Sequence, residues 1–340
     1  MSIEGHVGRR SQILGIGSYA PDRVVTNADL TKLMETTDEW IVERTGIRER
    51  RWVEEGKGVG ASDLGVEAAR RALEAAEVPL EKIDMVVFAT LSPDYYFPGA
   101  GVFLQRKLGL KPMPVLDIRQ QCTGFIYGLS IADQYVKTGM AEHVLVVGAE
   151  VHSTGIDIST RGRDVAVLFG DAGGAAVVGP ARDEGHGILS THLYADGTSA
   201  EDLWVEAPAS KHHPRISAAD LEAGKHYPSM KGKSVFRGAV ARIPEVVHEA
   251  LTANGYTLAD LGCLIPHQAN LRINEFVQKA LGLPDSKIHN NIDRYGNTTA
   301  ATIPLCMDEA LRIGKIRRGD LVCLVAFGAG FTWGSALLRW

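Results

Sequence analysis

Three segments in the first half of this chain return in the second half, in the same order and at nearly one spacing. ILGIGSYA from Ile13 answers ILSTHLYA from Ile188, an offset of 175 residues. ALEAAEVPLEKIDMVVF from Ala72 answers ALTANGYTLADLGCLIP from Ala250, an offset of 178, and FLQRKLGL from Phe103 answers FVQKALGL from Phe276, an offset of 173. One such echo is weak; three in sequence imply a duplication, so the chain is expected to fold as two like halves, residues 1–180 and 181–340.

Periodicity supplies the content of each half. Residues 65–78 and 240–253 place apolar side chains at helical spacing, with Pro244 marking a first turn or a kink. VVFAT (86–90), VLVVGAE (144–150), AAVVG (175–179) and LVCLVAF (321–327) are continuous apolar runs, the pattern of strands covered on both faces. Helices alternating with such strands make each half an α/β unit and the whole a layered sandwich. The stretch 196–233, rich in His, Pro, Ser and Lys, reads as a loop inserted between the halves near a substrate entrance.

Composition narrows the function classes. Lys+Arg 36 against Asp+Glu 41 excludes a strongly basic nucleic-acid binder. Nothing in the sequence approaches the ~20 apolar residues of a membrane span, and the N-terminal region lacks the apolar stretch of a secretory signal. The four cysteines, Cys122, Cys263, Cys306 and Cys323, have no paired or metal-site spacing. A soluble cytoplasmic protein with separate thiols is the expectation.

Among those thiols Cys122 is the candidate nucleophile, with a buried, inert cysteine as the standing alternative reading. It follows the strand-like run Val115–Ile118 and precedes an amphipathic helix, so it falls at a helix N-terminus, where unpaired N–H groups favour a thiolate. The other three lie inside apolar runs and read as small hydrophobes. His267, in LIPHQANLR, follows the strand-like CLI and leads into a helix over 271–281, the strand edge where open α/β sheets bind ligands. Asn297, in DRYGNTTAATIP, precedes a helix around 301–313 that corresponds, through the duplication, to the helix after Cys122. The two helix N-termini would meet near the pseudo-twofold axis. Taken singly, His267 also reads as a solvated or capping residue, and Asn297 as a turn former. AFGAGFTWGSALL brings backbone N–H groups within tight turns, suited to an oxyanion, while GDAGGAA at 170–176 is assigned to packing.

CTGF, PHQANLR, GNTTAA and AFGAGFTWGSAL, with TNADL and TDEWIVERTGIRER near the start, resemble the β-ketoacyl-acyl-carrier-protein synthase III family of the thiolase superfamily, over essentially the whole chain. The resemblance implies a five-layered αβαβα thiolase-like fold, a homodimer, and Claisen condensation of an acyl group on the cysteine with malonyl-acyl-carrier protein. Coenzyme A enters as a substrate thioester, and no metal or redox cofactor is implied. Carried over residue by residue, Cys122 is the nucleophile, His267 and Asn297 donate to the enolate, and the N–H groups of Cys122 and Ala329 form the oxyanion site. Trp40, Arg44 and Arg163 match positions at the coenzyme A adenine, with Arg161 a competing choice for Arg163. Asn270 and Arg272 match the pantetheine tunnel, and Phe97 a residue that reaches across the dimer to the acyl pocket. Arg237, Arg272 and Lys279 would form a basic patch for an acidic carrier protein; Arg237 and Lys279 read equally as solvated surface. Against the family pattern, Gln120 and Gln121 stand for small residues, Thr123 for alanine and Ala329 for glycine, so the length of the acyl primer is left open.

Three rivals are weighed. GIGSYA (15–20) imitates a nicotinamide fingerprint, but Pro21 and the missing acidic residue about 20 positions on argue against it. A sibling enzyme could use the same cysteine for acyl-CoA condensation or acyl transfer to an alcohol or amine. A non-catalytic partner subunit would have no reason to keep Cys122, His267 and Asn297 together.

Overall fold

The computed structural model describes residues 9–340. Its two main sheets are drawn from 11–180 and from 187–339. The first contains β1 (Ser11–Tyr19), β2 (Met85–Ala89), β3 (Val115–Ile118), β4 (Val144–Glu150) and β5 (Ala172–Pro180), in the order β1-β5-β4-β2-β3. β4, β2 and β3 run parallel, and β5 is antiparallel to both its neighbours. The second contains β6 (Gly187–Ala195), β7 (Cys263–Pro266), β8 (Leu321–Gly328) and β9 (Thr332–Arg339), in the order β6-β9-β8-β7. Here β9 is antiparallel to both neighbours and β7 is parallel to β8.

Laid over each other, β6, β9, β8 and β7 repeat β1, β5, β4 and β2 in order and direction. The counterpart of β3 is reduced to a single parallel bridge between Leu264 and Ile288, and Ile288 lies 173 residues after Val115.

The main helices are α1 (Asp38–Thr45), α2 (Ala61–Ala76), α3 (Ala100–Leu108), α4 (Gly124–Lys137), α5 (Gly232–Ala253), α6 (Leu271–Leu281) and α7 (Thr302–Arg312). Strand alternation decides which helices each sheet face meets. Val86 and Phe88 of β2 join Leu64, Leu73 and Leu104 of α2 and α3 in one outer core. Met85 and Val87, on the opposite face, join Phe125 and Leu129 of α4, Ile303 and Met307 of α7, and Val322 and Leu324 of the second sheet. The far face of that sheet packs Leu264, Cys323 and Val325 against Val246, Val247 and Val277 of α5 and α6. The result is five layers, helix–sheet–helix–sheet–helix, with α4 and α7 enclosed in the middle.

Two differences from the periodicity are instructive. The second long helix begins at Gly232, so Pro244 sits in its interior; packing of Ala239, Ile243, Val246 and Val247 on the sheet holds the helix together across the missing N–H. The inserted stretch is ordered, with short strands Leu203–Trp204 and Ser229–Met230 pairing with each other and a short helix Ala218–Glu222 between them.

Candidate active site

α4 and α7 each begin in a tight turn, Gln121–Thr123 and Thr299–Ala301, related by an offset of 178 residues. The first residue of each takes a positive φ, 44° at Gln121 and 50° at Thr299, an unusual conformation for non-glycine residues. The turns approach one another at the centre of the molecule, where a Cβ on Gly148 of β4 would overlap the Ala300 carbonyl. Only glycine leaves room for that approach.

A cavity of about 1550 Å³ opens there, and Cys122, His267, Asn297 and Ala329 all line it. Cys122 occupies the turn before α4 and is 7% exposed. Burial, then the nearby Glu150 carboxyl, push its thiol up to about 12, against the N–H groups of Ala329 and of Cys122 itself, which donate toward the sulfur. The thiolate expected from the helix N-terminus is therefore corrected: desolvation outweighs the helix end, and the resting group is a thiol. Gly328 lies tightly against it, for a Cβ there would come within 2.5 Å of the Cys122 Cβ and 2.7 Å of Sγ. Ala329 replaces a glycine without strain, because its φ is not in the left-handed region.

His267 is buried at the end of β7, and burial lowers its imidazole to about 3, so the ring is neutral. Its tautomer follows from its neighbours. Thr302 Oγ1 lies 3.0 Å from the Thr299 carbonyl, which can only accept, so toward His267 Nδ1 at 2.6 Å the hydroxyl accepts in turn. Nδ1 thus carries the proton, and Nε2, without a hydrogen-bond partner among the described residues, is a bare lone pair. The donor role read for the ring needs a further proton.

Asn297 is clamped at both ends. Its N–H donates to the Leu168 carbonyl at 2.8 Å, and its carbonyl accepts from Gly170 N–H at 3.1 Å. Its Oδ1 accepts from Thr299 N–H at 2.9 Å, which fixes the amide orientation and leaves Nδ2 as the group to offer the cavity.

Toward the mouth, Trp40, Arg44, Arg237, Asn270 and Arg272 also line the cavity. The Trp40 ring lies between two guanidinium groups, Arg44 at 4.5 Å and Arg163 at 5.0 Å. Arg163 does not itself line the cavity and donates to the Glu35 carbonyl at 2.7 Å. Arg161 is tied instead to Asp157 at 2.6 Å and to the Glu222 carbonyl at 3.0 Å. Asn270 caps α6 through Oδ1 and reaches the Arg44 carbonyl through Nδ2 at 2.9 Å, binding α1 to α6. Lys279 and Phe97 stand outside the cavity: Lys279 is on the exposed face of α6, and Phe97 is 79% exposed. The inserted stretch contributes Leu203, Trp204, Val205 and Met230 to the wall.

The sequence reading missed Glu150, His152, Thr299 and Thr302. Glu150 is fully buried, and burial raises its carboxyl to about 7 despite hydrogen bonds from Ser92, Leu91 and Thr90. A usable signal existed for two of them, since Glu150 and His152 stand at the carboxyl end of β4, the same edge that singled out His267.

Two family models match, 3-oxoacyl-[acyl-carrier-protein] synthase III over residues 116–197 and its C-terminal domain over 251–340. β-Ketoacyl-[acyl-carrier-protein] synthase III of Xanthomonas euvesicatoria is 47% identical over 330 residues, covering 97% of this chain and 98% of that protein. The chain belongs to the β-ketoacyl-[acyl-carrier-protein] synthase III family. The synthase III structure from Thermus thermophilus superposes with a TM-score of 0.89 at 44% identity, covering 97% of this chain and 99% of that one. The priming β-ketosynthase of the R1128 polyketide pathway gives 0.87 at 37% identity, with 97% of each chain covered. Relatives are thus named both as β-ketoacyl-[acyl-carrier-protein] synthases III and as a priming β-ketosynthase of a polyketide pathway.

Proposed function

We propose that this chain is a β-ketoacyl-[acyl-carrier-protein] synthase III, which loads an acyl group from acyl-CoA onto Cys122 and condenses it with malonyl-acyl-carrier protein to give 3-oxoacyl-acyl-carrier protein and CO₂. The observation that carries this reading is the shared cavity: a thiol under two backbone donors, a bare imidazole nitrogen and a fixed carboxamide. The nucleophile belongs to the half spanning 1–180, and His267 and Asn297 belong to 181–340.

In the loading step, Nε2 of His267 takes the Sγ proton as sulfur attacks the thioester carbonyl, whose oxyanion is met by the N–H groups of Cys122 and Ala329. The S–CoA bond breaks and the proton passes to the departing thiolate. In the second step the C–CO₂ bond of the malonyl group breaks, and the electron pair forms an enolate whose oxygen accepts from Asn297 Nδ2–H and from His267 protonated at Nε2. That proton, the one the decarboxylative condensation consumes overall, is taken up from solvent, and the developing negative charge favours its uptake. The enolate carbon attacks the acyl-cysteine, and the proton on His267 returns to the released Cys122 thiolate. The balance needs no metal or redox cofactor.

Trp40, Arg44 and Arg163 suit the adenine end of coenzyme A, stacking and cation contact already being formed among them. Asn270 and Arg272 would flank the pantetheine arm. Arg237, Arg272 and Lys279 form no ion pair among the described residues, while nearby Arg242 pairs with Glu245. With the Phe236–Phe276 contact joining α5 to α6, they suit an acidic carrier protein. We place the enzyme in the cytoplasm, as a homodimer to whose acyl pocket the partner's Phe97 would contribute. Four free buried thiols support the reducing compartment, and no helix among the described residues is long and apolar enough to cross a membrane.

Intact-mass spectrometry with a panel of acyl-CoAs, followed by malonyl-acyl-carrier protein, tests the reading. The acyl mass should appear on Cys122 and discharge with CO₂; Cys122→Ala should not load. Asn297→Ala should load normally and release CO₂ roughly 10²–10³-fold more slowly. Discharge only by a second acyl-CoA or an alcohol would assign the sibling chemistry, and no adduct at all would assign a non-catalytic subunit.

A further inference from the structure

The cavity holds a second buried histidine that the mechanism above does not use. His152 lines the wall just past β4 and is held from behind, its backbone N–H donating to Asp171 Oδ1 at 2.7 Å. The Asp171 carboxylate also takes the Ser153 N–H at 2.9 Å and the Val53 N–H at 2.8 Å, so it ties the segment of His152 and Ser153 to that of Val53. The side chain then touches both sides of the frame around Asn297. Nε2 lies 2.7 Å from Thr299 Oγ1, and the ring packs on Phe169 with centroids 4.4 Å apart. Thr299 is the residue whose N–H fixes the Asn297 amide, and Phe169 is the residue bridged to the Asn297 backbone.

Thr299 needs such support. It is β-branched with φ at 50°, a backbone state that persists only where surrounding contacts over-determine it. If Thr299 relaxes, its N–H leaves Asn297 Oδ1, and the carboxamide is free to turn its oxygen toward the enolate. We propose that His152 is a positioning residue for the decarboxylation step, holding Thr299 and Phe169 so that Asn297 presents N–H₂ to the enolate oxygen. Burial lowers its imidazole to about 3, so the ring stays neutral and holds these contacts throughout the neutral range. This rests on the enolate role given to Asn297.

The test separates the two half-reactions. His152→Leu should leave loading of Cys122 from acyl-CoA within about twofold of the native rate and lower CO₂ release from malonyl-acyl-carrier protein roughly ten- to a hundredfold, through kcat with KM unchanged. His152→Gln, whose amide reaches the position of Nε2, should restore most of that loss. Thr299→Ala removes the same hydrogen bond from the other partner and serves if His152→Leu does not fold; it should give the same selective loss. Equal loss in both half-reactions, no loss in either, or failure of Gln to rescue would overturn the proposal. Asn297→Ala, run in parallel, keeps the two readings apart. If it releases CO₂ at the native rate, the role of Asn297 fails; if it loses CO₂ release while His152→Leu and Thr299→Ala do not, only the role of His152 fails.

Discussion

A thiol that is hard to ionise needs a proton acceptor within its own cavity to act as a nucleophile, and Cys122, pushed up to about 12, is such a thiol. His267 is neutral above about 3, so its Nε2 lone pair is present at every working pH. In the native enzyme, loading from acyl-CoA should therefore stay nearly constant from about pH 6 to about pH 9. In His267→Ala the only nucleophile left is the thiolate fraction, which grows about tenfold for each pH unit below the thiol's pKa, and the loading rate should climb with that slope. Stopped-flow measurement of CoA release gives both profiles; a flat profile in the variant would remove the proton-acceptor role. Sequence could single out Cys122, His267 and Asn297 as candidates, by their places at element edges and by the family resemblance that assigns their roles. It could not assign Thr302 or Thr299, ordinary alcohols whose importance comes entirely from the groups they meet.

At the level of elements, the site depends on two helix-initiating turns brought together across a strand. Thr123 Oγ1 of the first turn lies 2.9 Å from Thr332 Oγ1 of β9, fastening the nucleophile's turn to the other half of the molecule. Gly148 gives the second turn its room, since any side chain there meets the Ala300 carbonyl. Gly148→Ala should cost about 1–3 kcal/mol in urea unfolding, the usual range for overpacking a tight interior. Because the displaced backbone is the turn carrying Thr299, CO₂ release should suffer along with stability; an unchanged midpoint and activity would mean that the contact relaxes freely. The helices over 65–78 and 271–281 and the strands at 86–90, 144–150, 175–179 and 321–327 were legible from the sequence pattern. The left-handed turns were not, because Gln121 and Thr299 carry no glycine-like mark and take their φ from the packing on either side.

For the whole molecule, the duplication leaves one asymmetry with a physical consequence. β3 ends the first sheet with one side unpaired among the described residues, its Leu116 is 38% exposed, and the loop carrying exposed Tyr95, Tyr96 and Phe97 returns beside it at Gly99, where a Cβ would meet the Asp117 carboxyl. An open strand edge beside exposed aromatic rings favours burial against a second copy. Sedimentation equilibrium should return about twice the chain mass of 36.7 kDa, and Leu116→Glu should shift the protein toward monomer. A native protein that sediments as a monomer would end the dimer assignment. In the second sheet the counterpart of β3 is, among the described residues, only the single bridge at Ile288 beside β7.

The amino-acid sequence by itself determined the duplication, the layered α/β class, the three candidate reacting side chains and the family, because repeated patterns and chemically special residues are local properties of the chain. Tertiary structure decided the rest. It alone sets how deeply Cys122 is desolvated, which nitrogen of His267 is bare, and which way the Asn297 amide faces, since each of these depends on groups that folding brings together from distant parts of the sequence.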